Sequence, residues 1–122
     1  MSLLARIAGW LVVVSSAVPG CSGDGASGQG ACTASVSSSC PGSPGFQARI
    51  LPIFQRGCVA CHAPGGREAS RPLTTHGEIF PRRSSVLSQL ASCAMPPPDG
   101  APISDADRKL VLDWLVCGAP DD

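Results

Sequence analysis

The sequence predicts a small, mostly α-helical domain of two to four helices joined by long loops. Two stretches place apolar residues at helical spacing, one starting at Phe46 and the other ending at Cys117. Between them the chain is rich in Gly and Pro, and no alternating strand pattern precedes Cys58. With 122 residues, the chain has room for one small domain.

The composition limits both the partners and the core. Nine Lys and Arg balance nine Asp and Glu, so we expect no nucleic-acid partner, which a basic surface would attract. Three Phe, two Trp and no Tyr supply few large core side chains, and such a domain usually needs a covalent or cofactor contribution. These numbers exclude a multidomain enzyme, a basic nucleic-acid binder and a polytopic membrane protein.

Residues 1–20 have the organisation of an export signal, with a basic start, an apolar run over residues 7–18 and a small-residue exit. The run is shorter than the roughly 20 residues that span a bilayer, although a buried or membrane-anchoring helix is an alternative. Because Cys21 follows, the segment resembles a bacterial lipoprotein signal. That resemblance implies lipid attachment at Cys21, which would anchor the protein in the periplasm or cell envelope. Ordinary cleavage, which would release a soluble periplasmic protein, is the alternative.

Residues 21–45 are dominated by Gly, Ser and Ala without apolar periodicity, which predicts a flexible tether. Residues 46–122 are the expected folding unit. It should begin with a helix near Leu51, since Pro52 suits a first turn, and continue through a loop over residues 63–80.

Two further helices are predicted after that loop. The first covers residues 84–91 and precedes a proline-rich loop over residues 92–102. The second is the clearest element, because Ser104 and Asp107 form an acidic capping box and Gly118 suits its C-terminal end. We expect its inward stripe to contain Leu110, Trp114 and Cys117, with Val111 and Leu115 beside it.

The segment 58–62 reads Cys-Val-Ala-Cys-His, the attachment spacing of c-type haem. On a helix, Cys58, Cys61 and His62 lie within about a quarter of a turn, so two thiols can bond the haem vinyl groups while the imidazole reaches iron. A thioredoxin-like dithiol would need a βαβ context, and structural zinc would need four ligands. A plain disulfide would leave His62 without a role.

Met95 is the predicted sixth ligand. It is the only Met after the start residue and precedes three prolines, which favour an extended and rigid backbone. Thioether ligation raises the reduction potential of haem iron. A gap-filling core Met is the alternative, and His76 is a competing ligand that we expect to be a surface loop residue.

Residues 46–122 resemble a small cytochrome c domain of exported bacterial proteins. The matching pieces are residues 52–54, 58–62, 95–97 and 114–120. The resemblance implies one covalent haem c, with Cys58 and Cys61 as thioether sites, His62 as proximal ligand and Met95 as distal ligand.

The expected function is therefore electron transfer rather than catalysis, by a monomer with redox proteins as partners and the membrane as a lipid-anchoring surface. One alternative is a haem peroxidase or a gas or redox sensor with an open Met95 side. Another is a haem-free surface lipoprotein stapled by disulfides.

The remaining cysteines are disulfide candidates. Cys32 with Cys40 and Cys93 with Cys117 is the economical pairing, although buried free thiols and the other pairings stay open. We expect the side chains of Arg67, Arg71, Arg82 and Arg83 to be solvated, with one or two available to haem propionates.

Overall fold

The C-terminal helix organises the fold. The computed structural model describes Cys32 and residues 34–122, and within them this helix, α4, spans Asp105–Val116. The Ser104 side chain accepts a hydrogen bond of 3.0 Å from Asp107 N, and Gly118 adopts φ of 90° beyond the last turn. Both predicted ends are therefore confirmed. Ser104 supplies the hydrogen-bond acceptor that the N-terminal end requires, and Gly118 supplies the left-handed conformation that commonly ends a helix.

The first helix of the described residues packs its apolar side against α4. A π-helical turn over Phe46–Ile50 continues directly into α1, Leu51–Gly57, with Pro52 in the first turn of α1. The carboxylate of Asp122 accepts hydrogen bonds from the backbone N–H groups of Phe46 and Gln47. Asp122 thus caps the π-helical turn that precedes α1.

The predicted loop over residues 63–80 is partly helical. Helix α2 spans His76–Ile79, a 3-10 turn follows over Phe80–Arg82, and α3 covers Arg83–Ala91. Thr75 caps α2 by accepting a hydrogen bond from Glu78 N. The Thr-x-x-Glu spacing at residues 75–78 is the sequence signal for this cap.

No strand occurs in the described part, so the mostly helical prediction is confirmed there. Helices in this part are all too short or too polar to cross a bilayer. The predicted signal over residues 1–20 and the predicted lipidation site Cys21 lie outside the described residues.

An aromatic cluster fills the core between α4 and the helical segment Phe46–Gly57. Phe46, Phe54 and Trp114 are at most 2 % exposed. The rings of Phe46 and Trp114 stack with centroids 5.5 Å apart, and Phe54 meets Trp114 edge-on at 6.4 Å. Such large side chains contribute most of the apolar burial available to so small a domain.

The buried face of α4 differs slightly from the predicted stripe. It consists of Arg108, Val111, Leu112, Trp114 and Leu115. Leu110 and Cys117 are half-buried at its edges. The shift matters because it brings a charged residue, Arg108, inside.

Two disulfides join the predicted tether to the helical domain. They are Cys32–Cys93 and Cys40–Cys117, so the expected pairings Cys32–Cys40 and Cys93–Cys117 were wrong. The four candidates do form disulfides, but each cysteine before Phe46 pairs with one in the domain.

A polar contact explains the path of this segment along α4. Ser37 Oγ donates to Asp113 Oδ1 at 2.8 Å, and Lys109 Nζ donates to Ser37 Oγ at 3.1 Å. The segment therefore runs along the helix surface to the C-terminal end of α4, where Cys40 meets Cys117. The second half of the predicted tether is thus attached to the domain.

Candidate functional site

A cavity of about 420 Å³ contains all four residues that the sequence singled out for cofactor binding. Cys58, Cys61, His62 and Met95 line it together. Its volume lies within the range of about 300–1,000 Å³ that is typical of small-molecule and cofactor pockets. Much of the remaining wall is apolar and includes Phe54, Leu73, Val86, Leu90 and Pro96.

The end of α1 places the two thiols and the imidazole on one turn. Cys58 N donates to Phe54 O at 2.8 Å, and His62 N donates to Cys58 O at 2.9 Å. Cys61 N donates to the same Cys58 carbonyl at 3.1 Å. This helical continuation brings side chains three and four residues apart to one side, as the haem-attachment spacing requires.

Two glycines permit the close packing around this turn. A Cβ on Gly57 would lie 2.3 Å from Cγ2 of Ile103, and one on Gly66 would lie 2.3 Å from the backbone oxygen of Cys61. The loop after His62 therefore folds back against the cysteine turn only because residue 66 has no side chain.

Cys58 and Cys61 are free, whereas the other four described cysteines are oxidised to disulfides. Burial raises the pKa of the Cys58 thiol to about 11, and the neighbouring Cys61 adds to this shift. Cys58 is therefore a thiol at neutral pH, whereas a redox-active Cys-x-x-Cys pair depends on a lowered thiol pKa. This environment favours a role other than thioredoxin-like exchange.

His62 has one ring nitrogen engaged and the other available. Its Nδ1 lies 2.8 Å from the backbone oxygen of Arg71. Because a carbonyl oxygen only accepts, Nδ1 carries the proton and donates, which leaves the Nε2 lone pair for a metal. A backbone carbonyl on the second nitrogen is the usual way to orient a ligating histidine.

Met95 enters the cavity from the loop after α3. Its backbone N donates to Gln89 O at 3.2 Å, and its backbone O accepts from Arg108 Nη1 at 2.7 Å. Two residues earlier, Cys93 adopts φ of 60° and forms the disulfide with Cys32. The Met95 loop is thus attached at three points.

Arginines surround part of the cavity. Arg67, Arg71 and Arg82 line it, whereas Arg83 lies outside the lining with its guanidinium 4.2 Å above the Phe80 ring. Arg67 makes two hydrogen bonds to Asp99, at 2.7 and 3.1 Å, which lower the pKa of that carboxyl group.

The remaining two lining arginines have different partners. Arg71 pairs with Glu68, and Arg82 donates to the backbone oxygen of Glu78 at 2.8 Å. The side chains of Arg67 and Arg71 are exposed, and those of Arg82 and Arg83 are half-buried. Arg82 has no carboxylate partner within ion-pair distance among the described residues, whereas Arg67 and Arg71 would have to exchange theirs to bind another carboxylate at the cavity edge.

His76 is not in the cavity lining, and its expected position in a surface loop was wrong. It begins α2, with its side chain 18 % exposed and its Nε2 2.8 Å from Ala119 O. Its ring packs between those of Phe46, Phe80 and Trp114. The residue therefore belongs to the aromatic core.

Sequence reasoning missed Arg108, Gly57 and Gly66, which lie in or against the cavity lining. Arg108 had a readable signal, because it lies three, four and seven residues before the apolar side chains of Val111, Leu112 and Leu115. The glycines had none, since their neighbours come from packing that spacing does not reveal.

The described residues contain no cluster of three or more His, Cys, Asp or Glu that could hold a metal ion. The structural-zinc alternative therefore has no four-residue donor set of these types in that part of the chain. Comparison of the chain with known proteins gave no match to a family model, a curated protein or a solved structure.

Proposed function

We propose that this protein is an extracytoplasmic electron carrier of the cytochrome c type with one covalently bound haem. Cys58 and Cys61 would form the thioether bonds, and His62 Nε2 and Met95 Sδ would ligate the iron. The observation that carries the proposal is the convergence of two free thiols, an imidazole with an available nitrogen and a thioether in one cavity.

The cavity also has the surroundings that such a cofactor requires. Its apolar wall would exclude water from a porphyrin ring. The lining arginines offer partners for propionate groups. Bound haem supplies a one-electron ferric–ferrous couple, and a Met ligand raises its reduction potential.

The Met95 loop supports electron transfer over the open-site alternatives. Its attachment to Gln89, Arg108 and the Cys32 disulfide would keep the thioether in place in both oxidation states. A carrier that retains its ligands needs little rearrangement on gaining or losing an electron. A peroxidase or gas sensor instead needs an iron position open to its ligand.

The haem-free alternative has one observation in its favour. The two disulfides connect positions 61 and 77 residues apart and would stabilise the domain without a cofactor. Disulfides also support the proposed location outside the cytoplasm, where they form and persist. A lipid anchor at Cys21 and redox proteins as partners remain parts of the proposal.

A pyridine haemochrome spectrum of protein exported from a host with haem-attachment machinery tests the proposal. We expect one haem per chain and an added haem mass on the peptide containing Cys58 and Cys61. The double variant Cys58→Ala/Cys61→Ala should be colourless, and His62→Ala should fail to mature to a stable holoprotein. A folded, colourless wild-type protein from this host would contradict the proposal and favour the stapled lipoprotein.

Carbon monoxide separates the carrier from the open-site alternatives. The reduced wild-type protein should bind it slowly, and its ferric form should show the Met–iron charge-transfer band. Met95→Ala should bind carbon monoxide rapidly and have a lower potential. Rapid binding by the wild type without a Met–iron band would instead support a sensor or peroxidase.

A further inference from the structure

Arg108 is buried in an unusual way for a charged residue. Its exposed fraction is 3 %, and among the described residues it is the one charged residue that is buried. Its Nη1 donates to Leu90 O at 3.0 Å and to Met95 O at 2.7 Å. One guanidinium nitrogen therefore joins the last turn of α3 to the backbone of the proposed distal ligand.

The charge of Arg108 has no carboxylate partner within ion-pair distance among the described residues. Its Nε has no hydrogen-bond partner there either. Burying an unpaired cation is unfavourable and is tolerated only where the surrounding structure compensates. The backbone of Arg108 is fixed in the first turns of α4, where its N–H donates to Ser104 O at 2.9 Å. The buried apolar side chains of α4 follow it on the same face.

Leucine at this position would continue the apolar face of α4 at no such cost. It could not, however, donate to a carbonyl. Leu90 O also accepts a hydrogen bond from Cys93 N at 3.2 Å, so loss of the guanidinium would chiefly affect the Met95 carbonyl. Carbonyl oxygens oriented by a charge-assisted donor are held more firmly than those bonded by a neutral group.

We propose that Arg108 is the positioning residue for Met95, holding its backbone so that the thioether stays on the haem iron. This inference rests on the proposed function. The unpaired positive charge next to the Met95 backbone also disfavours the more positive ferric state, by simple Coulomb repulsion. Arg108 therefore favours both retention of Met95 and a higher reduction potential.

The test compares Arg108→Met and Arg108→Lys with Arg49→Met, a control at an exposed arginine in the first helical turn. Imidazole binding to the ferric holoprotein reports how readily Met95 leaves the iron. Arg108→Met should bind imidazole at least tenfold faster and weaken the Met–iron band. Its ferric–ferrous equilibrium should shift at least tenfold towards ferric, which is about 59 mV for one electron.

Arg108→Lys keeps the positive charge and one hydrogen-bond donor. Its imidazole binding rate and reduction potential should therefore lie between those of Arg108→Met and the wild type. Arg49→Met should match the wild type in both. Haem content and the unfolding midpoint establish that each variant is folded. The inference is overturned if Arg108→Met is folded and haem-loaded yet has wild-type imidazole kinetics and potential. If Arg108→Met does not fold, Arg108→Gln, which removes the charge, takes its place, and wild-type imidazole kinetics and potential in that variant overturn the inference. Wild-type protein without haem contradicts the proposed function itself, whereas haem-loaded variants with native Met95 ligation contradict only the role of Arg108.

Discussion

The aromatic end of the molecule and its cavity end are built by different means. At the aromatic end, Phe46, His76 and Trp114 contact one another directly, and Trp114 Nε1 donates to Pro120 O at 2.9 Å. At the cavity end, His62 and Met95 are held chiefly by hydrogen bonds through backbone carbonyls and amides. The first arrangement stabilises the fold by packing, and the second fixes chemically useful groups in place.

This division predicts that the two ends respond differently to mutation. Changes at the aromatic end should lower the free energy of unfolding whether or not a cofactor is bound. Changes at the cavity end should alter the proposed haem attachment or ligation with smaller effects on the fold. Three comparisons between matched variants test this distinction.

The largest loss of stability should come from Trp114→Ala. Trp114 is fully buried, so truncation should reduce the free energy of unfolding by about 3–5 kcal/mol through lost burial and a residual cavity. Phe80→Ala is the control, because Phe80 is 39 % exposed and should lose far less. Thermal or denaturant unfolding measures both. Equal losses in the two variants would contradict the assignment of the aromatic end as the stabilising core.

The two disulfides should differ in function more than in stability. Removing either pair by Cys→Ser substitution should reduce the free energy of unfolding by about 2–4 kcal/mol, since both close long loops. Only loss of Cys32–Cys93 should weaken the Met–iron band, because Cys93 lies two residues before Met95.

Loss of Cys40–Cys117 provides the matched control at the aromatic end. Spectra of the two double variants, recorded at temperatures where both are folded, measure the difference. An identical Met–iron band in both variants would show that the Met95 loop does not depend on its disulfide.

The cavity end was more readable from sequence than the connections that support it. Cys58, Cys61 and His62 follow one another within five residues, so local spacing alone brings them together. The capping residue Ser104 was readable for the same reason. The disulfide partners lie 61 and 77 residues apart, and no local pattern distinguishes among the possible pairings.

Arg108 shows the intermediate case. Its place on the apolar face could be read from helical periodicity, but its two carbonyl partners could not, because they lie in a different helix and loop. The prediction that Met95 lies beside the cysteine turn likewise came from a family resemblance and from the neighbouring prolines, because no local spacing connects these residues. Long-range packing therefore decides what sequence patterns leave open.

The smallest expected change in stability is also the most specific for the cavity end. In Gly66→Ala the added methyl group would meet the backbone oxygen of Cys61 at 2.3 Å, and a backbone atom cannot rotate away as a side chain can. We expect a loss of about 1–3 kcal/mol, as for other overpacked sites, together with reduced haem attachment. Gly77→Ala is the control, since a methyl group there meets nothing within 4 Å and alanine favours its helix, α2. Haem content per folded chain and the unfolding midpoint should fall for Gly66→Ala alone. If both variants acquire haem equally well, the loop after His62 does not constrain the cysteine turn. Close backbone packing would then not be what holds the cysteines and His62 in place at the cavity end.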